Sequence, residues 1–215
     1  MKKLIVPKIC LTNADEDTII DAMSILASQP IDVLNWKEQY PYQPEVYFRI
    51  AHDGDHIYLQ YNVKEREVLS ISFNDNERVC ADSCVEMFVS FDNGQHYYNA
   101  EFSCNGVALL GYRKPGEAAV RGSEKIMQSI KRFPTLGLRQ KIHQQEDTHW
   151  SLILIIPKEA FFGDSILSFD GLEAHANFYK CGDKLQVPHY LSWNEINTPK
   201  PSFHQPSFFG KLHFE

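Results

Sequence analysis

Two glutamates, Glu86 and Glu101, have the residue type and the placement for acid–base chemistry. They lie in the alternating segments 85–91 and 97–104, which a turn containing Asn93-Gly94 joins. Segments joined in this way pair as neighbouring antiparallel strands, so the two carboxyl groups could stand close together. Hydrolysis of a glycosidic bond uses such a pair, one member having a raised pKa. Pairs of this kind are more often structural, and the sequence leaves both interpretations open.

The signatures of other catalytic classes are absent from the sequence. It contains no Gly-x-Ser-x-Gly elbow, no glycine-rich loop that would hold phosphate, and no Cys–His arrangement of familiar spacing. The nine histidines are scattered, and none forms the His-x-x-x-His pair of a helical metal site. We therefore favour a protein without catalytic residues. A hydrolase acting on glycosyl bonds is the alternative.

The five cysteines are a second group with potential chemistry: Cys10, Cys80, Cys84, Cys104 and Cys181. An odd count without regular spacing is a poor disulfide framework. Cys80 and Cys84 are close in sequence, which makes a metal cluster conceivable, but zinc sites usually have two such short pairs. We expect five reduced thiols that fill space as small hydrophobic side chains, and the sequence assigns no metal ligand.

Charge and hydropathy exclude several partners. The formal net charge is −7, and the basic run Arg113-Lys114 is too short for a nucleic-acid surface. No stretch approaches the ~20 apolar residues of a membrane span. The apolar run after Lys3 stops at Pro7, too early for the core of a secretion signal. We expect a protein that binds neither nucleic acid nor membrane, cytoplasmic as written or exported if a leader has been removed.

Strands must position most of these residues. Apolar and polar residues alternate with period two from Ile31 onward, and turns of the Asp/Asn-Gly type at 53–54, 93–94 and 105–106 predict an antiparallel meander. The strands are predicted at 5–11, 46–51, 57–63, 85–91, 97–104, 107–112, 126–133, 138–144, 150–156, 171–179 and 208–214.

One helix is predicted near the N-terminus. Acidic residues at 15–17 provide a cap, an amphipathic run follows, and the helix ends near Pro30. Strands every ~8–12 residues with a single helix are typical of a sandwich. No repeat or linker divides the chain. We predict one all-β domain over residues 1–215, an antiparallel β-sandwich with one N-terminal α-helix.

Four groups of segments carry a family resemblance. They are 44–52 with 57–63; 82–88 with 97–102 and 105–106; 150–157; and 176–180 with 192–193 and 208–212. None is specific alone, but in this order they resemble the family-nine carbohydrate-binding modules over nearly the whole chain. The string Asp-Ser-Cys-Val-Glu at 82–86 looks most like the subgroup of family-nine-like modules found in gut-type bacteria.

The resemblance implies a jelly-roll-like or immunoglobulin-like sandwich that binds the end of a saccharide chain without catalysis. In such modules two tryptophans clamp a sugar ring, polar side chains bind its hydroxyls, and calcium ions stabilise loops. An aromatic plate buries the apolar face of the ring, while the polar rim needs hydrogen-bond partners. We therefore predict a saccharide partner and no cofactor, except the calcium that the resemblance implies.

The resemblance also implies site residues. Trp193 is the candidate plate, because it lies in a polar, proline-rich region; its alternative is a buried anchor for the last loop. Glu86 is implied as an acceptor of sugar hydroxyls, with a salt bridge to Arg49 or Arg113 as the alternative. Lys180 stands where many relatives carry arginine and would donate hydrogen bonds.

Four more polar residues are candidates. Asn99 and Asn177 are amides inside strands, where asparagine is depleted, so each either binds a ligand or pairs with backbone. Arg113 and Arg121 flank a glycine-containing loop and either reach over the site or remain solvated.

One position departs from the family. Cys80 lies near the place expected for the second clamp tryptophan, and a thiol cannot stack on a sugar as an indole does. A second aromatic residue, Tyr98 or Tyr112, must therefore face Trp193 if a clamp exists.

The alternatives to non-catalytic carbohydrate binding are a glycoside-active enzyme, a related DOMON-like binder of haem or sugar, and a partner-binding domain.

Overall fold

The structure, a computed structural model, describes residues 1–11, 15–114 and 116–215. Its helices are α1 (Glu16–Ser24) and α2 (Glu124–Ser129). Its strands are β1 (Lys3–Val6), β2 (Gln29–Pro30), β3 (Glu45–His52), β4 (His56–Glu65), β5 (Val68–Ser70), β6 (Cys84–Ser90), β7 (Tyr97–Ser103), β8 (Ala108–Arg113), β9 (Val120–Arg121), β10 (Lys131–Pro134), β11 (Ile142–Gln144), β12 (Thr148–Pro157), β13 (Glu173–Cys181), β14 (Tyr190–Ser192) and β15 (Gly210–Phe214).

The strands form a sandwich of two large sheets. The eight-stranded sheet has the order β1-β15-β13-β6-β7-β8-β9, and β14 pairs with β13. The five-stranded sheet has the order β10-β12-β4-β3-β2, and β11 and β5 form a small separate sheet. The predicted all-β sandwich is therefore confirmed, as is the pairing of β6 with β7. One edge differs, because β1 runs parallel to β15.

The core lies between the two large sheets because alternation along each strand sends one face inward. Val85, Met87 and Val89 of β6 are buried there. Across the interface, Phe48 of β3 stacks on Phe178 of β13, with ring centroids 3.8 Å apart. The apolar side chains on the inner faces of the two sheets pack together, and this hydrophobic contact holds the sheets against each other.

Helix α1 begins as predicted. The Asp15 side chain accepts a hydrogen bond from the Thr18 amide at 2.8 Å, which caps the helix. Ile19 and Met23 are buried against Tyr58 and neighbouring apolar residues of the five-stranded sheet. The helix thus covers the outer face of that sheet. Within the described residues, no helix is long and apolar enough to cross a membrane.

The strand prediction over 126–133 is wrong in its first half. Ser123 caps a short helix, α2, by accepting from the Ile126 amide, and only Lys131–Pro134 is a strand. Two turns of helix can use the same apolar residues as a strand, so period alone does not separate them.

All five cysteines are free thiols in the structure.

Candidate binding cleft

The outer face of the eight-stranded sheet carries the polar residues that the sequence singled out. Because Val85 and Met87 face the core, Glu86 and Phe88 of β6 face outward, and so do Asn99 and Glu101 of β7. All four are buried. Loops cover this face, and an aromatic cluster that includes Trp36, Tyr97, Tyr179 and Phe209 packs against it.

An open cleft of about 270 Å³ remains in this cover. Its lining residues are Cys80, Glu86, Phe88, Glu101, Cys181, Asp183, Tyr190, Pro201, Ser202, Phe203 and His204. The strands form its floor, and the loop 201–204 forms a wall. A larger hollow of about 670 Å³ lies between Tyr42 and Val187, but its charged side chains are exposed or half-buried.

Two carboxyl groups lie side by side in the cleft floor. Glu86 and Glu101 are direct cross-strand partners, and they are only 2% and 6% exposed. Burial, and then the charge of Glu101, raises the pKa of Glu86 well above its usual value. Burial also raises the pKa of Glu101, against the opposing effects of Asn99, Arg121 and Arg113. The floor therefore disfavours the ionisation of both groups together.

A hydrogen-bonded chain continues from Glu101 along the sheet. The Asn99 amide donates to Glu101 Oε1 at 2.8 Å, and Arg113 Nε donates to Asn99 Oδ1 at 2.8 Å. Arg121 lies over Gly111, where a Cβ would be 3.1 Å from its guanidinium. This chain connects an acceptor in the cleft to Arg113, and Arg121 lies beside it.

The opposite side of Glu86 is lined by thiols. Cys181 Sγ lies 3.1 Å from Glu86 Oε1, and Cys84 Sγ lies 3.9 Å from the same oxygen. Neither arginine considered in the sequence pairs with Glu86. Arg49 donates to the Leu26 carbonyl, and Arg113 donates to Asn99.

The cleft wall supplies aromatic rings. Phe203 stacks on Tyr179 with centroids 4.2 Å apart and is only half-buried. His204 lies 4.9 Å from Phe88, and its Nδ1 is 3.1 Å from the Tyr97 hydroxyl. Desolvation and then the two nearby arginines lower the pKa of His204 to about 4, so its imidazole is neutral at neutral pH.

Sequence reasoning missed Phe203 and His204. No role was predicted for the aromatic residues of the Pro-rich stretch 198–206. The available signal was an aromatic pair in a polar loop, since such residues are enriched where proteins bind ligands. Asp183, which also lines the cleft, lies two residues after the end of β13 and forms a 2.8 Å ion pair with Arg78.

The prediction that Trp193 is an exposed plate is wrong. Trp193 is 1% exposed and packs edge-on against Phe48 and Phe178, at centroid distances of 6.0 and 5.7 Å. It does not line the cleft beside Glu86. A ring enclosed by protein cannot stack on a sugar, so Trp193 is the buried anchor that the sequence left as the alternative.

Tyr98 and Tyr112 do not supply the partner aromatic. Tyr98 faces the core, and its hydroxyl donates to Asp164 at 2.8 Å. Tyr112 lies against Tyr98 and stacks on His96. Neither tyrosine contacts Trp193, so the clamp built on these residues is absent.

Asn177 and Lys180 have structural partners instead of facing the cleft. Asn177 is fully buried, and its side chain bonds to the amide and the carbonyl of Asn194. Lys180 faces the core, where its Nζ lies 2.8 Å from Glu65 Oε2 and 2.9 Å from His189 Nε2. Of the predicted site residues, only Glu86 lines the cleft. Asn99 bonds to Glu101 in the cleft floor, and Arg113 bonds to Asn99. Arg121 acts on Glu101 only through its charge.

Calcium does not fit the group of His, Cys, Asp and Glu side chains that converges closely enough to hold a metal ion among the described residues. That group is Cys84, Glu86 and Cys181. Calcium takes six to eight oxygen ligands, whereas two of these three donors are sulphur. The calcium that the resemblance implies therefore stays a prediction.

Comparisons with known proteins agree on one family. The model of carbohydrate-binding family 9 matches residues 15–214. A crystal structure of a candidate carbohydrate-binding protein from Bacteroides uniformis is 43% identical, with a TM-score of 0.94, covering 100% of this chain and 99% of that one. No curated protein gives a significant match.

Two more distant structures share the fold. Both are family 9 modules from Caldicellulosiruptor kristjanssonii. The complex with glucose is 14% identical, with a TM-score of 0.59 and coverage of 100% of this chain and 96% of that one. The complex with cellotriose is 12% identical, with a TM-score of 0.53 and coverage of 100% and 94%.

Proposed function

The chain belongs to carbohydrate-binding family 9, and from this premise we propose that the cleft over Glu86 and Glu101 holds the end of a saccharide chain. Its function is non-catalytic carbohydrate binding. The proposal concerns where and how the sugar binds, because the predicted tryptophan plate lies in the core.

The observation that carries the proposal is a half-buried aromatic ring beside buried polar groups. Phe203 is held flat by Tyr179 at 4.2 Å and can offer the apolar face that a pyranose needs. Glu101 accepts sugar hydroxyls, and Arg113 and Arg121 stand behind it as donors. A concave site with one apolar wall and a few fixed polar groups is typical of a small-ligand site.

The arrangement of the carboxyl groups argues against hydrolysis. Glu86 and Glu101 are direct neighbours on one sheet face, where opposite side chains have Cβ atoms about 4.5–5.5 Å apart. Both would approach a bound ring from the same side. A glycosidase places its two carboxyl groups on either side of the scissile bond. The cleft floor is therefore better suited to hydrogen bonding with sugar hydroxyls than to cleavage of a glycosidic bond.

The lining also disfavours a haem site. His204 is the one histidine among the described lining residues of the cleft, and no methionine lies there. A six-coordinate haem needs two axial ligands that face each other.

Glucose and cellotriose, which the Caldicellulosiruptor modules bind in their structures, are suitable first probes. Calorimetry should show binding to the wild-type protein. Phe203→Ala should weaken it by about 1–3 kcal/mol, because the stacking surface is lost. Glu101→Gln should cost about 1.5–3 kcal/mol, because a charge-assisted acceptor becomes a neutral one.

Phe73→Ala is the matched control. Phe73 is a loop phenylalanine with 44% exposure that does not line the cleft. Its removal should leave saccharide affinity unchanged. Equal affinities of wild type, Phe203→Ala and Glu101→Gln for a saccharide that binds would place the sugar elsewhere. Absence of binding to a broad glycan array would remove the proposal itself.

A further inference from the structure

Three side chains beneath the cleft form a thiol–carboxylate cluster: Cys84, Glu86 and Cys181. Their donor atoms all lie within 4.8 Å of one another. Glu86 Oε1 is 3.1 Å from Cys181 Sγ and 3.9 Å from Cys84 Sγ. The three side chains are at most 2% exposed.

The sheet itself creates this cluster. Cys84 and Cys181 are direct antiparallel partners on β6 and β13, so their side chains stand together on the outer face. Glu86 is two residues beyond Cys84 on the same strand and therefore shares that face. The three positions come from two rigid central strands, which hold donor atoms more accurately than loops do.

The Glu86 carboxyl group forms no ion pair with a lysine or arginine of the described residues, so it has unused capacity as an acceptor. Among the described residues, the Glu86 carboxyl group receives hydrogen bonds only from these two thiols, which are weak donors. A buried carboxyl group with such weak partners has the capacity to bind a metal ion.

We propose that the thiol–carboxylate cluster is a binding site for a thiophilic divalent cation, zinc(II) in the first place. The ligands are Cys84 Sγ, Cys181 Sγ and a carboxylate oxygen of Glu86. A tetrahedral zinc ion with Zn–S of ~2.3 Å and Zn–O of ~2.0 Å sets its ligand atoms about 3.5–3.8 Å apart. The observed separations are within a few tenths of an ångström to about 1 Å of that arrangement.

The cleft supplies the entry path and the fourth position. Glu86 and Cys181 line it, and Cys80 and Asp183 lie beside them. The fourth ligand is therefore a water molecule or one of these two side chains. Zinc(II) exchanges three of its water ligands for two Zn–S bonds and one Zn–O bond. Two S–H bonds and the O–H bond of the Glu86 carboxyl group break, and the released protons pass to the buffer. No oxidant or reductant takes part.

The cation site shares Glu86 with the floor of the saccharide cleft. This consequence rests on the function proposed above. A cation held by Glu86 withdraws that carboxyl group from the sugar and adds positive charge beneath it. Saturating zinc should therefore weaken saccharide binding.

The test begins without any sugar. Fully reduced protein is titrated with cobalt(II) and then with zinc(II), and a cobalt–thiolate charge-transfer band reports coordination by sulphur. We expect one equivalent of cobalt to bind, zinc to displace it, and protons to be released, as shown by calorimetry in buffers of different ionisation enthalpy. Cys181→Ser and Cys84→Ser should each lose the band or weaken affinity at least about tenfold, since even indirect partners of metal ligands cost 10–100-fold.

Cys104→Ser is the matched control, because Cys104 is also a buried thiol but lies outside the cluster. It should retain the band and the affinity. The site is refuted if reduced wild-type protein gives no thiolate band, or if both cluster serine variants bind as the wild type does. A Cys84–Cys181 disulfide that persists in a glutathione buffer of cytosolic poise would also refute it. These outcomes need no saccharide, so they leave the proposed function untouched.

A final arm joins the two sites. Saccharide affinity is measured with zinc and after its removal by a chelator. A several-fold lower affinity with zinc supports the shared use of Glu86, and an unchanged affinity separates the metal site from the saccharide cleft.

Discussion

Trp193 illustrates how the surroundings of a residue decide its role. Its ring lies edge-on to Phe48 and Phe178 in the core, and a Cβ at Gly210 would come within 2.7 Å of it. Trp193→Ala should therefore lower the free energy of unfolding by about 3–5 kcal/mol, as for a core tryptophan. Denaturant unfolding measures this. A loss below about 1 kcal/mol with weaker saccharide binding would restore the exposed-plate interpretation.

Lys180 is a second residue whose partners define it. Its ammonium group and the Glu65 carboxylate, both fully buried, are 2.8 Å apart, and Trp150 Nε1 donates to Glu65 at 2.8 Å. Desolvation and the nearby Lys180 charge lower the pKa of His189 well below its usual value, so a neutral ring accepts from the lysine. The group is a closed polar network inside the sandwich.

Lys180→Met should therefore destabilise the protein by about 3–5 kcal/mol, because it leaves Glu65 buried and unpaired. The double variant Lys180→Met with Glu65→Gln should recover about half of that loss or more, since no charge remains. Both can be measured by urea unfolding. If the double variant is as unstable as the sum of its single changes, the two side chains do not act as a pair.

At the scale of elements, the sequence predicts long strands better than short ones. The segments that became β6 and β7 alternate over about seven residues, and the β12 segment contains a long apolar run that ends at a proline. All three strands are found within two residues of their predicted bounds. Strands β2 and β9, of two residues each, have no period to detect. They exist because a neighbouring strand leaves backbone groups to be paired.

The residues of the candidate site also differ in how well the sequence predicts their positions. Glu86 and Asn99 could be placed from alternation, because a strand fixes which face each side chain takes. Phe203 and His204 could not, because their position depends on how a loop folds back over the sheet. The prediction for Trp193 was wrong for a related reason. Trp193 lies in a polar loop sequence, but hydrogen bonds from the Asn177 side chain to Asn194 hold that loop against β13, with the Trp193 ring facing inward.

Gly111 on β8 tests whether the sheet positions the hydrogen-bonded chain beside the cleft. A Cβ there would lie 2.5 Å from Asn99 Oδ1, the atom that accepts from Arg113. Gly111→Ala should displace Asn99 and destabilise the protein by about 1–3 kcal/mol, the usual cost of overpacking. Gly111→Ala should also weaken saccharide binding, because a displaced Asn99 no longer holds the Glu101 carboxyl group in place.

A double-mutant cycle with Asn99→Ala checks the cause of this effect. Removing the Asn99 amide removes the clash, so the two changes together should cost less than the sum of the single changes. Unfolding free energies of the four proteins give the coupling. Strict additivity would mean that Gly111→Ala acts by some other contact.

At the scale of the whole molecule, a second ionic group, besides Lys180 and Glu65, connects the two large sheets. Asp75 lies in the loop after β5, accepts from the Ala108 amide of β8 at 3.1 Å, and pairs with Arg132 of β10 at 2.6 Å. A second arginine, Arg139, binds its other oxygen at 3.0 Å. Strands β8 and β10 belong to different sheets, so Asp75 joins the sandwich at one end.

This group makes stability depend on pH. Burial opposes ionisation of Asp75, but the Arg132 hydrogen bond and charge prevail and lower its pKa below the ordinary 3.8. A carboxyl group with a lowered pKa in the folded state stabilises the protein above its unfolded pKa, and this contribution is lost as the pH falls through the folded value. The relevant window therefore lies below pH 3.8.

Asp75→Asn should cost about 3 kcal/mol at pH 7, because it leaves Arg132, whose side chain is 5% exposed, without its carboxylate. As the pH falls below 3.8, wild-type Asp75 becomes protonated and the two proteins should converge in stability. Unfolding by urea at a series of pH values gives the difference directly, and other titrating groups cancel because both proteins contain them. Asp147→Asn, at an exposed aspartate, should show no such convergence. A difference between wild type and Asp75→Asn that stays constant from pH 7 to pH 2 would show that the carboxylate charge does not hold the sheets together.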